Sequence, residues 1–150
     1  MSKSQATEAE GGGDTNMKSS PTMQRIITQL ADKHKVDLTQ LEGYLRLQQP
    51  AYERLVIETI GQDLVSVAHY FEQNGDLIPD PDVVFYTRTG EWIPIEITHS
   101  LGMYGIYATV HETKPYLRMR DIVRQADLAN FTEMWALNLI AQRWPEKGTR

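Results

Sequence analysis

Asp82 and Glu96 are the residues whose type and spacing could most directly do chemistry. They sit in Pro81-Asp82-Val83-Val84-Phe85 and Ile95-Glu96-Ile97-Thr98, two stretches that read as neighbouring strands of a hairpin. A three-residue loop at Arg88 to Gly90 would set Asp82 opposite Glu96. Two carboxylates so placed could hold a hard divalent cation such as Mg²⁺ or Mn²⁺, which prefers oxygen ligands and polarises phosphoryl oxygens. The competing reading is structural: Asp80 and Asp82 flank prolines and Asp76 follows a turn glycine, positions at which Asp serves as turn chemistry. Both readings draw on one asymmetry. Between Ile57 and Tyr107 the single basic residue is Arg88, against Glu58, Asp63, Glu72, Asp76, Asp80, Asp82, Glu91 and Glu96.

Two further groups are candidates. If Asn74-Gly75 is the two-residue loop of a hairpin, His69 falls opposite Asp80, a pair that could act as a general base or bind a metal. The alternative is a core histidine satisfied by one acidic partner, because His69 shares a strand face with Val65, Val67 and Phe71. Arg118, Arg120 and Arg124 form a basic group, with Arg120 and Arg124 expected on one helix face, and could contact phosphates of a nucleic acid. Glu112, Asp121 and Asp127 dilute that group, as on an ordinary solvated helix face. No G-x-S-x-G, phosphate-binding glycine loop or H-E-x-x-H occurs.

The elements that position these residues follow from periodicity. Pro21 opens a helix with Met23, Ile26, Ile27, Leu30 and Ala31 on one face, Ser20 standing at its N-cap. A short helical turn is expected after Asp37, using Leu38, Leu41 and Leu45. From Leu55 the period becomes 2. Strands are expected at 55–60, 64–71, 77–86, 91–97 and 103–110, with Asn74-Gly75 as the strongest turn signal and a bulge or edge near Pro79 and Pro81. Helix resumes at Arg118. Asn130 to Glu133 has the spacing of a capping box, so a kink or a fresh start is expected there. The last helix is apolar on more than one face and is expected to lie across the sheet. The fold class is α+β: an antiparallel meander of about five strands, covered on one face by N-terminal and C-terminal helices.

With 150 residues, 15 Lys+Arg, 20 Asp+Glu, a net charge of −5 and no cysteine, the chain reads as one domain over 21–150. Disulfides and thiol chemistry are excluded. Residues 1–20, rich in Gly, Ser, Thr and acidic side chains, are expected to be a disordered tail, with Met17 as an alternative start. No apolar run approaches the ~20 residues that cross a bilayer. The expectation is a cytoplasmic protein with no membrane contact.

Two resemblances add to this. The Asp82 and Glu96 strands are similar in spacing to the PD-(D/E)xK nucleases, which implies a metal-dependent nuclease; here Thr98 stands where that family has its lysine, which implies an inactive relative. The stretch His69 to Phe85, of the form HYxxxNGDLxxDPxxxF, with Trp92-Ile93-Pro94 and a closing helix carrying Phe131, Trp135, Asn138 and Gln142, resembles a family of uncharacterised bacterial domains common on plasmids and integrative elements. It covers about Leu55 to Gln142. A second small family of unknown function from proteobacterial chromosomes is similar too. The resemblance implies no activity and no cofactor. It points to a non-enzymatic accessory protein that binds another macromolecule, most simply a protein. The expected contact surface is the sheet face left open by the helices, with His69, Asp76, Asp80, Asp82 and Glu96 as acidic-side candidates and Arg118, Arg120 and Arg124 as basic ones.

Overall fold

The N-terminal helix forms where the apolar spacing places it. In the computed structural model, which describes residues 8–10, 17–100, 104–111, 113 and 116–150, α1 spans Pro21–Lys33 and buries Met23, Ile26, Ile27, Leu30 and Ala31. Ser20 is its N-cap residue, but its hydroxyl does not cap the helix. It pairs with Thr132 Oγ1 at 2.5 Å. The free amides of the first turn are taken by Glu133, whose carboxylate accepts from Thr22 N at 2.9 Å and Met23 N at 3.2 Å. Glu133 thus performs the capping expected of it, but on a different helix. α2 runs unbroken from Ile122–Ala141, so the expected kink at Asn130 to Glu133 does not form.

Six strands make the main antiparallel sheet, in the order β2-β3-β4-β5-β6-β7: Tyr44–Leu47, Arg54–Gly61, Leu64–Gln73, Asp76–Tyr86, Ile93–Thr98 and Tyr104–Ile106. A small sheet has the order β1-β9-β8, from Glu8–Glu10, Tyr116–Met119 and Ala108–Val110. A short helix, α3, Trp144–Lys147, closes the chain. The α+β meander is therefore as expected, with one more strand in the sheet. That strand, β2, replaces the helical turn expected around Leu45. Leu45 and Leu47 are buried while Tyr44 and Arg46 are exposed, a period of 2. Gly43 holds the entry tight, since a Cβ there would lie 2.7 Å from Asp37 O. The single strand expected over 103–110 is shared instead between β7 and β8, one in each sheet.

Asn74 and Gly75 take positive φ (54° and 86°), as a two-residue hairpin loop requires. Phe71 lies opposite Ile78 as expected. The expected irregularity near the prolines is also present: Tyr70 pairs with Pro79 but Ala68 pairs with Asp82, so Asp80 and Pro81 together oppose His69. A proline cannot donate to the ladder, and the bulge accommodates it.

The helices cover one face. Val65, Val67, Val83, Phe85 and Ile97 of the sheet meet Ile26, Ile27, Leu128, Trp135, Leu139 and Trp144 in the larger core. On the other face Val84, Tyr86, Ile93 and Ile95 pack with Met17, Ala108 and Leu117; farther along it Val56, Ser66 and Ala68 are buried as well, while Tyr44 is exposed. Of the expected N-terminal tail, residues 1–7 and 11–16 lie outside the described residues. Glu8–Glu10 pairs with β9, and Met17 and Ser20 are buried. Gln125, itself fully buried, secures that segment: it accepts from Lys18 N at 2.9 Å and donates to Lys18 O at 2.8 Å and Pro94 O at 3.0 Å.

Removing a helix cap costs about 1 kcal/mol. Glu133→Ala is therefore expected to lower Tm by about 2–4 °C, the shift such a loss gives a chain of this size. Thermal unfolding followed by far-UV circular dichroism checks this.

Candidate acidic site on the open sheet face

Alternation along β4, β5 and β6 decides which side chains reach the uncovered face. On β4, Val65 and Val67 point to the helices, so Ser66, Ala68 and Tyr70 point away. On β5, Val83 and Phe85 face the helices and Asp82 faces away. The register then brings Glu96 opposite Val84 and Thr98 opposite Asp82. The expected pairing of Asp82 with Glu96 is thus corrected. Val84 pairs with Glu96 but Phe85 pairs with Pro94, so β6 carries an extra residue, Ile95, that buries itself in the smaller core. Asp82 and Glu96 still share a face, as diagonal neighbours on adjacent strands.

Asp82 is half-buried and accepts a 2.6 Å hydrogen bond from Ser66 Oγ. Burial pushes its carboxyl above the ordinary value, partly offset by that hydroxyl. Burial also raises Glu96, and the charge of Asp82 raises it further. The coupling extends to Tyr70, whose phenol is pushed up by burial first, then by Asp82, Glu58 and Tyr44. Among the described residues, no lysine, arginine or histidine forms an ion pair with Asp82 or Glu96. Nor is any group of three or more His, Asp or Glu side chains placed to hold a metal ion. The two carboxylates would be the acidic ligands of any Mg²⁺ or Mn²⁺ bound here, and Thr98 supplies a hydroxyl where a nuclease of the resembled kind has an ammonium.

Tyr70 links this patch to a neighbouring cleft of about 470 Å³, bounded by Gln49, Tyr52, Glu53, Arg54 and Glu72. The Gln49 side chain is buried, and among the described residues its amide nitrogen has no hydrogen-bond partner. An unpaired buried donor of this kind costs about 1–3 kcal/mol.

The other candidates lie elsewhere. His69 falls opposite the Asp80–Pro81 bulge but has no single ladder partner there. It points to the helix face, its ring 5.5 Å from that of Trp135 and 6.1 Å from that of Trp144, with Nδ1 3.2 Å from Arg54 O. Burial lowers its pKa, with the Arg54 and Glu53 backbone acting the other way. Asp76 is at the exposed hairpin tip opposite Gln73. Asp80, carried by the bulge, lies 3.8 Å from His99 Nδ1 and accepts from Ser100 N at 3.3 Å. The arginines do not share a helix: Arg118 is on β9, Arg120 precedes Asp121, and Arg124 is in the first turn of α2. Asp121 explains the boundary, since its side chain caps α2 by accepting from Arg124 N at 3.0 Å. Arg124 also forms an exposed ion pair with Asp121 at 3.7 Å. Ser66, Tyr70 and Gln49 were not foreseen as site residues. Alternation with Val65 and Val67 was the signal for the first two, and none existed for Gln49.

Residues 21–144 match the family model of a domain of unknown function, DUF6908. The chain belongs to this family. The DUF6908 match begins at the first residue of α1 and ends at Trp144, and so contains the whole main sheet and the Asp82–Glu96 face. No curated protein and no solved structure matches the chain. No helix of the described residues is long and apolar enough to cross a membrane.

The raised carboxyl of Asp82 has a consequence for stability. A group whose pKa is higher in the folded than in the unfolded chain weakens folding once pH exceeds the unfolded value, and the penalty is complete above the folded value. Asp82→Asn keeps an acceptor for Ser66 and removes the charge. It is expected to raise Tm at pH 7, with the gain shrinking to nothing as pH falls below the ordinary aspartate range. Unfolding scans of both proteins from pH 3 to pH 8 measure this; a lower Tm for the variant at pH 7 contradicts it.

Proposed function

We propose that this protein is a cytoplasmic accessory protein of a bacterial mobile genetic element and works by binding another protein. The contact surface is the open sheet face centred on Asp82 and Glu96. The observation that carries this reading is the state of those two carboxylates. They are desolvated and repel one another, and among the described residues neither has a basic partner. A lysine or arginine side chain landing between them relieves the repulsion and gains charge-assisted hydrogen bonds. Tyr70, on the neighbouring strand of the same face, offers its ring to the same cation. The adjoining cleft, with its unpaired Gln49 amide, gives room for the next residue of an extended basic segment. The mobile-element setting rests on the likeness of the His69–Phe85 hairpin and the Trp92-Ile93-Pro94 strand to domains of plasmids and integrative elements.

A metal-dependent nuclease is the second reading, favoured by the placement of Asp82 and Glu96 on neighbouring strands with Thr98 opposite Asp82. One experiment separates the two. Oligo-arginine and oligolysine peptides are titrated by calorimetry into the wild-type chain, Asp82→Asn/Glu96→Gln, and Asp76→Asn/Glu91→Gln as a charge-matched control. Binding at least tenfold weaker in the first variant, and unchanged in the second, is the expected result; equal affinities for all three overturn it. Thermal stabilisation by Mg²⁺ or Mn²⁺ that vanishes in Asp82→Asn/Glu96→Gln, together with DNA cleavage, would assign the face to the nuclease reading instead.

A further inference from the structure

The cleft beside the acidic pair differs from it in what lies at depth. Its exposed rim carries Glu53 and Glu72, but the groups set deeper are donors: half-buried Arg54 and buried Gln49. Gln49 is 7 % exposed, and among the described residues its amide nitrogen has no acceptor. Arg54 forms no ion pair among them either, although two carboxylates stand in the same cleft. A buried amide without an acceptor and an unpaired guanidinium both gain from an anionic oxygen entering the cleft. The group that fits is a carboxylate, which accepts only and has an oxygen for each donor.

We propose that this cleft takes the C-terminal carboxylate of the partner segment whose basic residue sits at Asp82 and Glu96. The partner is then recognised by a penultimate lysine or arginine followed by a free chain end. This inference rests on the acidic face being the contact surface. Two observations select a chain end as the occupant. The first is span. Asp82 pairs with Ala68, and Arg54 with Tyr70. The two residues are therefore two strand spacings apart across the sheet and two residues apart along it, about 12 Å between Cα atoms. The side-chain cation of an extended lysine or arginine and the α-carboxylate of the next residue lie a similar distance apart. The second is the far wall. Gln48 and Thr149 line the cleft and are joined by two backbone hydrogen bonds, Gln48 N to Thr149 O at 2.8 Å and Thr149 N to Gln48 O at 3.0 Å. They stand on the β2 side, away from Asp82, so a chain that enters from the acidic pair ends against them.

Calorimetric titration of the full chain with three peptides tests it: acetyl-Gly-Arg-Ala with a free C-terminus, the same peptide amidated, and amidated acetyl-Gly-Arg-Asp. The free acid is expected to bind the wild type at least fivefold more tightly than either amide. That preference is expected to vanish in Arg54→Gln and to fall at least twofold in Gln49→Leu, with circular dichroism unchanged in both. Should Gln49→Leu fail to fold, Arg54→Gln decides alone. Asp82→Asn/Glu96→Gln is expected to weaken the free acid and its amide alike and to keep the preference. Equal affinity of the wild type for the free acid and its amide overturns the inference, and leaves the acidic face standing where both peptides still weaken in Asp82→Asn/Glu96→Gln. A preference that persists in Arg54→Gln, an aspartate peptide that binds like the free acid, or no binding at millimolar peptide also overturns it. Affinities unchanged by Asp82→Asn/Glu96→Gln overturn the acidic-face reading and this inference with it.

Discussion

The structure depends on a polar seam between α2 and the segment that leads into α1. Gln125, Thr132 and Glu133 reach from one helix to Lys18, Ser20, Thr22 and Met23, and each bond spans more than a hundred residues of sequence. Gln125 and Thr132 are fully buried, so losing a partner would cost the whole desolvation of the orphaned group, about 1–3 kcal/mol. The seam fixes both long helices side by side on one face of the sheet. It also fixes what they cannot cover. On the other face, among the described residues, the small sheet and Met17 pack on the end formed by Val84, Tyr86, Ile93 and Ile95.

That division gives the sheet a gradient along its uncovered face. At one end the side chains of β5 and β6 are apolar and enclosed. A few residues along the same strands they become Asp82, Glu96 and Thr98, with Ser66 and Tyr70 beside them on β4. Burial pushes both carboxyls above their ordinary values, and the charge of Asp82 raises Glu96 further. Under the proposed function an incoming cation offsets that cost. Stability given up at one spot and recovered on binding is the physical content of the proposed function.

The sequence made legible whatever depended on local periodicity. The Met23-Ile26-Ile27-Leu30-Ala31 stripe and the Asn74-Gly75 turn are set by neighbours a few residues away, and both stand as read. What escaped were features decided across the sheet. Two one-residue shifts, one at the turn, where Tyr86 pairs with Ile93, and one at the Ile95 bulge, moved Glu96 from opposite Asp82 to the diagonal. The bulge at Asp80 and Pro81, whose place the prolines mark, leaves His69 without a ladder partner, its ring against Trp135 and Trp144 while Asp80 meets His99. Glu133 was read as a cap because of its spacing from Asn130, and it is a cap, but for amides 110 residues earlier in the chain. The basic cluster dissolved because Asp121 starts a helix where the sequence was read as already helical. The acidic pair kept a common face because the two shifts add to two residues, an even number, whereas a one-residue slip would have put Glu96 beside a residue of the opposite face.

Side-chain carboxyl ¹³C chemical shifts of Asp82 and Glu96, followed from pH 2 to pH 8, measure the burial and coupling of the two groups directly. Both are expected to titrate above the ordinary Asp and Glu ranges, and Glu96 to move back toward its ordinary value in Asp82→Asn. Ordinary midpoints for both, unaffected by the substitution, would contradict that expectation.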